Sequence, residues 1–175
     1  GEQADLVLSL DVIYHLVEDR VFEHYMHTLF AAATQTVLSY AASGDVFSDT
    51  AKQARRNLQH RAIALLTTYE SGTGGMPRHR DFAERMWPTV VAAERLLYRV
   101  LALCWAIEET GRDKAAETAR SLFGEDGLTA ATQALADLGA AATGRAAVPV
   151  PAGVPEVLKA EIDDLASSIK ANTAG

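Results

Sequence analysis

Hydrophobic residues recur every three or four positions through most of the chain after residue 47, which is the spacing of one face of an α-helix. The longest such stripe consists of Phe82, Met86, Val90, Ala93, Leu97, Leu101 and Cys104. Asp81 stands just before the stripe and can cap its helix, and Gly111 ends it. Because proline removes a backbone hydrogen bond, Pro88 predicts a kink near Met86 or Trp87, or a fresh helix start at Pro88 itself.

Four further segments carry the same helical spacing. Ser48 or Asp49 can cap a helix that runs to about Tyr69, and shorter helices are predicted over 113–123 and 128–141. Pro155 suits the first turn of a last amphipathic helix. The apolar side of that helix consists of Val157, Leu158, Ile162, Leu165 and Ile169. The stretch 96–107 is apolar on nearly every side, so we expect it to lie at the centre of a bundle.

The first 45 residues have a different pattern. Residues 4–10 (ADLVLSL) form a short apolar run bounded by polar residues, which suits a buried strand. Glu18 and Asp19 can open a helix, and residues 35–40 (QTVLSY) are β-rich enough for a second strand. The predicted fold is therefore mainly α, an irregular bundle of roughly four to six helices with a small strand element at the N-terminus.

This pattern divides the chain into four parts. We assign a strand–helix–strand segment to residues 1–45, a helical bundle core to 46–143, a Pro/Gly/Val linker to 144–154 and a C-terminal amphipathic helix to 155–175. The change of character near Ser48 also suits a chain in which unrelated pieces are joined.

Composition narrows the function classes. The net charge of −7 disfavours broad nucleic-acid binding, because phosphate contacts require a surplus of Lys and Arg. No apolar run reaches the roughly 18–20 residues that span a bilayer, and the closest, 96–107, is broken by Arg99. Glu2 and Asp5 stand where a signal peptide has its basic start. The single cysteine, Cys104, lies in an apolar run, which favours a buried, unreactive thiol and a cytoplasmic protein.

Residues 5–30 read DLVLSLDVIYHLVEDRVFEHYMHTLF, and this wording resembles a strand-to-helix turn of class I S-adenosylmethionine-dependent methyltransferases. The similarity covers about residues 4–43, in which 35–40 would correspond to the next strand of the sheet. The resemblance implies that Asp11, Tyr14 and His15 stand at the carboxyl end of the first strand, where open α/β sheets place their ligands.

Under this resemblance Asp11 would orient a substrate and His15 would act as a general base, with S-adenosylmethionine as the cofactor. The alternative is that Tyr14 and His15 only pack the turn. The glycine-rich loop that the family carries after its first strand has no counterpart in this sequence. We therefore expect the segment to be incomplete as a catalyst.

Residues 51–110 contain the basic helix AKQARRNLQHRAIALL and a second helix WPTVVAAERLLYRVLALCWAIEE. Together they resemble the soluble helical portion of fusaric-acid-resistance-type (FUSC-like) membrane proteins. The resemblance implies a cytoplasmic accessory domain of an efflux system that works by helix packing and oligomerisation. The membrane-spanning helices that define that family have no counterpart in these residues, so transport by this chain alone is not expected.

Two clusters of polar residues suggest binding sites. Lys52, Arg55, Arg56 and Arg61, with His60 among them, form a basic strip that suits an acidic partner, an anionic lipid head group or a phosphate. The alternative, which we prefer, is pairing with acidic residues elsewhere on the surface. Glu23, His24 and His27 fall within one helical turn but match no zinc spacing, so we expect a solvated helix face and no metal.

Aromatic residues are the remaining candidates. Trp87, Tyr98 and Trp105 suit a ligand pocket between helices, although such spacing more often indicates core. With no catalytic motif visible, the leading hypothesis is a non-enzymatic soluble helical domain that acts through protein contacts or self-association across the 87–107 face. It would be accessory to an efflux-type membrane system, and peripheral membrane association is compatible with it. The alternative is an S-adenosylmethionine-dependent methyltransferase or a fragment derived from one.

Overall fold

A computed structural model of the chain describes residues 33–73, 77–142 and 152–173. These ranges form six α-helices and contain no strand. The helices are α1 (Gln35–Ser43), α2 (Asp49–Thr73), α3 (Pro77–Glu109), α4 (Arg112–Phe123), α5 (Gly127–Ala142) and α6 (Glu156–Thr173). The mainly α fold is therefore confirmed. The strand predicted over residues 4–10 lies outside the described residues.

Helix α3 is the longest helix and contacts four others, namely α1, α2, α4 and α6. Helix α1 also packs on α2, α4 and α5, and α5 packs on α6. A single cluster of buried apolar side chains includes residues of all six helices. This shared core crosses the boundary drawn at residue 45 and includes α6, so α1 and the C-terminal helix are integral to the bundle.

The strand predicted for residues 35–40 is wrong, because this segment is the first part of α1. Val37, Leu38 and Ala41 are all buried. Neighbouring side chains on a strand point to opposite faces, whereas positions 37, 38 and 41 lie on one side of a helix. Packing of that side against the bundle outweighs the β propensity of the short run.

The turn between α1 and α2 fixes where both helices end. Gly44 has a φ of 76°, and its N–H donates to the carbonyl of Ala41. A Cβ at Gly44 would lie 2.6 Å from the Cα of Ala116, so glycine is required here for space as well as for conformation. The N–H of Ala51 donates to Ser48 Oγ at 3.1 Å, which confirms the cap predicted at Ser48.

Helix α3 begins earlier than predicted and does not start afresh at Pro88, whereas the kink predicted near Met86 or Trp87 stays a prediction. It begins at Pro77 rather than at Asp81, in keeping with proline's preference for a first helical turn. Pro88 lies inside the helix, which continues as one element to Glu109. Since Pro88 is exposed, the carbonyl left without a partner one turn earlier can be hydrated. The adjacent Thr89 is buried, and its Oγ1 accepts a hydrogen bond of 2.7 Å from Asn172 Nδ2.

The last three helices follow the predicted pattern closely. The segments predicted over 113–123 and 128–141 are α4 and α5, each within one residue of the observed bounds. Helix α6 begins directly after Pro155. Its predicted apolar side is confirmed by the burial of Leu158, Ile162, Leu165 and Ile169.

Candidate functional site

Helix α3 buries one face against the neighbouring helices and leaves the other exposed. The buried side chains between residues 90 and 107 are those of Val90, Ala92, Ala93, Leu96, Leu97, Val100, Leu101, Leu103, Cys104 and Ile107. This set contains most of the predicted stripe. The stretch 96–107 is central in that α3 contacts four other helices, but it is not covered on every side, because Tyr98, Ala102, Trp105 and Ala106 within it are exposed.

The exposed side carries large aromatic residues. Tyr98 retains 62% and Trp105 retains 64% of its accessible surface, and Trp87 retains 44%. Tyr98 and Trp105 were predicted to lie in the core or to line a pocket between helices. Their exposure shows that they do neither. A run that is apolar on every side does not reveal which side meets the bundle, and here the two rings fall on the opposite side.

Large exposed hydrophobic side chains are concentrated on this helix. Among the described residues there are four, and three of them, Trp87, Tyr98 and Trp105, belong to α3. The fourth is Ile63 on α2, at 61% exposure. Single exposed hydrophobic residues are common, but a cluster of them marks an interaction surface.

Five exposed residues define what we call the outer face of α3. They are Arg95, Tyr98, Ala102, Trp105 and Glu109. Their spacing alternates between three and four residues, which is the heptad spacing of a seam between two helices. The face thus has an apolar middle, a positive charge at one end and a negative charge at the other.

Contacts with neighbouring helices border the outer face of α3 on both sides. Towards α6, Arg99 Nε donates to the carbonyl of Val157 at 2.7 Å, and Arg95 Nη1 lies 3.1 Å from Asp164 Oδ2. Towards α2, the rings of Tyr69 and Trp87 lie 4.8 Å apart. These contacts hold α3 between α2 and α6 and leave its outer face open to solvent.

Arg55, a predicted anion-binding residue, is engaged inside the bundle. Its guanidinium lies 2.6 Å from Glu108 Oε1 and also donates to the carbonyl of Val46 at 2.8 Å. Arg55 therefore pairs with an acidic residue of the fold, which is the alternative to anion binding that we preferred for the basic strip. The sequence could not reveal this pair because its partners are 53 residues apart.

The other residues of the basic strip lie on the exposed part of α2. Lys52 Nζ lies 3.8 Å from Asp49 Oδ1, and Arg56 donates to Gln53 Oε1 within the same helix. His60 and Arg61 are exposed. Anion binding by Lys52, Arg56 and Arg61 remains a prediction.

Cys104 is buried next to the Arg55–Glu108 pair. Burial raises the pKa of the Cys104 thiol to about 11, with Arg55 acting in the opposite direction. The thiol is therefore protonated at neutral pH, which fits the predicted unreactive cysteine and provides no nucleophile.

A shallow, open depression of about 610 Å³ lies between α1 and α5. Its lining consists of Gln35, Thr36, Ser39, Tyr40, Leu128, Thr129 and Thr132. Gln35 Nε2 donates to the carbonyl of Thr132 at 2.9 Å, which ties the two helices together. The lining carries amides and hydroxyls without a carboxylate, imidazole or thiol, so it offers no general base of ordinary strength.

Within residues 33–73, 77–142 and 152–173, no three His, Cys, Asp or Glu side chains come together as metal ligands. No helix in this described part has the length and apolar character needed to cross a membrane. Asp11, Tyr14 and His15, the site residues of the methyltransferase alternative, lie outside the described residues, as do Glu23, His24 and His27.

The described part of the chain is thus a helical bundle with an aromatic outer face on its longest helix. Comparisons with protein-family models, with curated proteins and with solved structures give no match for the chain. Its function must be inferred from this geometry.

Proposed function

We propose that the chain is a non-enzymatic helical domain that acts through protein contacts, and that the outer face of α3 makes them. The observation that carries this proposal is the exposure of Tyr98 and Trp105 on one side of a helix whose other side is packed in the core. Aromatic residues are enriched at the centres of protein interfaces and supply much of the binding energy there.

Covering the rings of Tyr98 and Trp105 would remove apolar surface from water, which is favourable. An aromatic side chain buries about 150–250 Å² when covered, at about 25 cal/mol per Å². With nearly two thirds of each ring in water, covering Tyr98 or Trp105 yields roughly 2–4 kcal/mol per residue before the cost of association. A flexible peptide loses part of this gain to ordering, whereas α3 is already fixed by its neighbours.

The borders of the outer face also resemble a protein interface. Arg95 and Glu109 stand at its two ends and are exposed, as charged residues are at a polar rim. The FUSC-like resemblance implies an efflux-type membrane system as one setting for such a contact. That setting remains a prediction.

A photocrosslinking residue tests this proposal directly. We would place p-benzoylphenylalanine at Ala106, which is exposed beside the outer face of α3, and at Ser167 as a matched exposed position on α6. The chain would be irradiated in an extract of its own cells. Protein adducts are expected at position 106 and not at 167, and Trp105→Ser should remove them.

Equal labelling at both positions, or adducts at 106 that persist in Trp105→Ser, would overturn the assignment of the contact surface. Absence of protein adducts at either position would overturn the proposed function itself.

A further inference from the structure

We infer that the occupant of the outer face of α3 is the same face of a second copy of the chain, with the two α3 helices antiparallel and a two-fold axis at Ala102. This inference rests on the proposed function and names its partner. It rests on the order of residues along the outer face of α3. When two copies of this face run in opposite directions, aromatic residues meet aromatic residues and opposite charges meet.

In an antiparallel pair each residue meets the one at the same distance on the other side of the axis. Tyr98 and Trp105 stand four residues before and three residues after Ala102. An axis at Ala102 therefore places Tyr98 of each copy beside Trp105 of the other. Offset aromatic pairs of this kind are favourable beyond the area that they bury.

The charges at the two ends match in the same register. Arg95 and Glu109 lie seven residues on either side of Ala102. Each Arg95 then faces Glu109 of the second copy, which gives two symmetry-related opposite-charge pairs around the aromatic centre. Arg95 also lies 3.1 Å from Asp164, but both side chains of that pair are largely exposed, so the guanidinium can serve both carboxylates.

The parallel arrangement is disfavoured by the same residues. In a parallel pair of equal helices each position meets its own copy, so Arg95 would face Arg95 and Glu109 would face Glu109. The small side chain of Ala102 on the axis lets the two backbones approach closely between the larger rings.

Cysteine crosslinking tests the register. Ala102→Cys lies on the axis and should form a disulfide between copies under mild oxidation, since a disulfide requires Cα atoms within about 4.4–6.8 Å. Glu109→Cys is the control on the same face, where the two Cα atoms would be about 21 Å apart along antiparallel helices but close together in a parallel pair. The wild-type chain is the blank, because its Cys104 is buried.

Rapid disulfide formation at 102 and not at 109 is the expected result. Similar crosslinking at 102 and 109 would indicate a parallel pair and would overturn the antiparallel register. Absence of crosslinking at 102 in a chain that is dimeric by sedimentation would overturn the axis position.

Sedimentation equilibrium between about 1 µM and 1 mM tests the partner and the charges, a range that covers weak, single-helix interfaces. Trp105→Ser should weaken dimerisation at least about tenfold. Arg95→Glu and Glu109→Arg should each weaken it by about five- to tenfold, and the double variant should restore it. Circular dichroism of each variant checks that the bundle is folded.

A wild-type chain that is monomeric at every concentration overturns the inference of a second copy, and so does a double variant as weak as either single one. If that monomer still gives Trp105-dependent protein adducts in the photocrosslinking experiment, the proposed function stands with another protein as partner. Binding to vesicles of anionic phospholipid that depends on Trp105, in place of dimerisation, overturns both.

Discussion

Helices α3 and α6 pack against each other but present different outer faces to solvent. The exposed residues of α6 are charged or small, namely Glu156, Lys159, Ala160, Asp164, Ser167, Lys170 and Ala171. Helix α3 instead exposes Tyr98 and Trp105. Both helices bury apolar side chains in the same core, so folding does not require aromatic residues on the outside of α3.

Several charged residues of α6 already have partners in the bundle, because Asp164 pairs with Arg95 and Glu161 with Arg99, both on α3. Lys159 Nζ lies 2.6 Å from Asp163 Oδ2 one turn away, and this hydrogen bond raises the pKa of the Lys159 amine. Such a face gains little from a partner, because its polar groups already have water or each other. The difference between the two faces supports the proposal that the chain makes its protein contacts through the outer face of α3.

The inner faces should carry the stability of the bundle. Ile162→Ala, on the buried side of α6, should lower the free energy of unfolding by about 2–5 kcal/mol, because it leaves a cavity in the core. Tyr98→Ala, on the outer face of α3, should change it by no more than about 0.5 kcal/mol at concentrations where the chain is monomeric. Urea unfolding of the two variants at low micromolar concentration measures both values. A loss at Tyr98 as large as that at Ile162 would show that Tyr98 is part of the core.

The helical spacing in the sequence predicted the inner faces well. The side of α6 around Ile162 follows from spacing alone, and so does the Ser48 cap of α2. These features are local, since they depend on residues within one or two turns of each other.

Three features could not be predicted from helical spacing, namely the helical state of residues 35–40, the polar contacts between helices and the exposed side of α3. Residues 35–40 look β-rich in isolation and become helical because the bundle covers Val37 and Leu38. The sequence shows no acidic partner for Arg55, because Glu108 lies far away along the chain and comes close only in the folded bundle. In α3, apolar residues surround the helix, so the side that faces water depends on where α2 and α6 lie.

Adjacent residues on opposite sides of α3 should differ sharply in reactivity. Since burial raises the pKa of Cys104 to about 11, against 9.0 for a free thiol, its thiolate fraction at pH 8 is about a hundred times lower. We expect modification by iodoacetamide at pH 8 to be at least that much slower in the folded chain than in urea. Acrylamide should quench the fluorescence of Trp105 readily under the same folded conditions. Similar thiol rates with and without urea would contradict the burial of Cys104.

The same pKa shift makes a prediction about stability and pH. The folded chain holds the Cys104 proton more tightly than the unfolded chain, so this contribution to stability is complete below pH 9 and is lost as the pH rises through about 11. Cys104→Ala lacks this proton. The unfolding free energy of the wild type should therefore fall relative to that of Cys104→Ala between pH 8 and pH 10.5.

The junction between α3 and α6 should show a smaller effect. Arg99→Ala removes the 2.7 Å hydrogen bond to the carbonyl of Val157 and the 3.9 Å ion pair with Glu161, and it should cost about 1 kcal/mol in urea unfolding. Arg95→Ala is the matched control, since its pair with Asp164 is exposed on both sides and should contribute less than about 0.5 kcal/mol. The order of the two losses is the informative result, and a larger loss at Arg95 would contradict this description of the junction.

The smallest effect is expected for S-adenosylmethionine. If the chain acts through the outer face of α3, a calorimetric titration with this cofactor should give no heat of binding, because a contact between helix faces needs no nucleotide-like ligand. The methyltransferase alternative instead expects micromolar binding that Asp11→Ala weakens and that Trp105→Ser leaves unchanged. The two variants therefore separate the hypotheses even if some heat is observed, since each removes a residue that only one hypothesis uses. Heat that disappears in Asp11→Ala and persists in Trp105→Ser would move the function from α3 to the N-terminal segment.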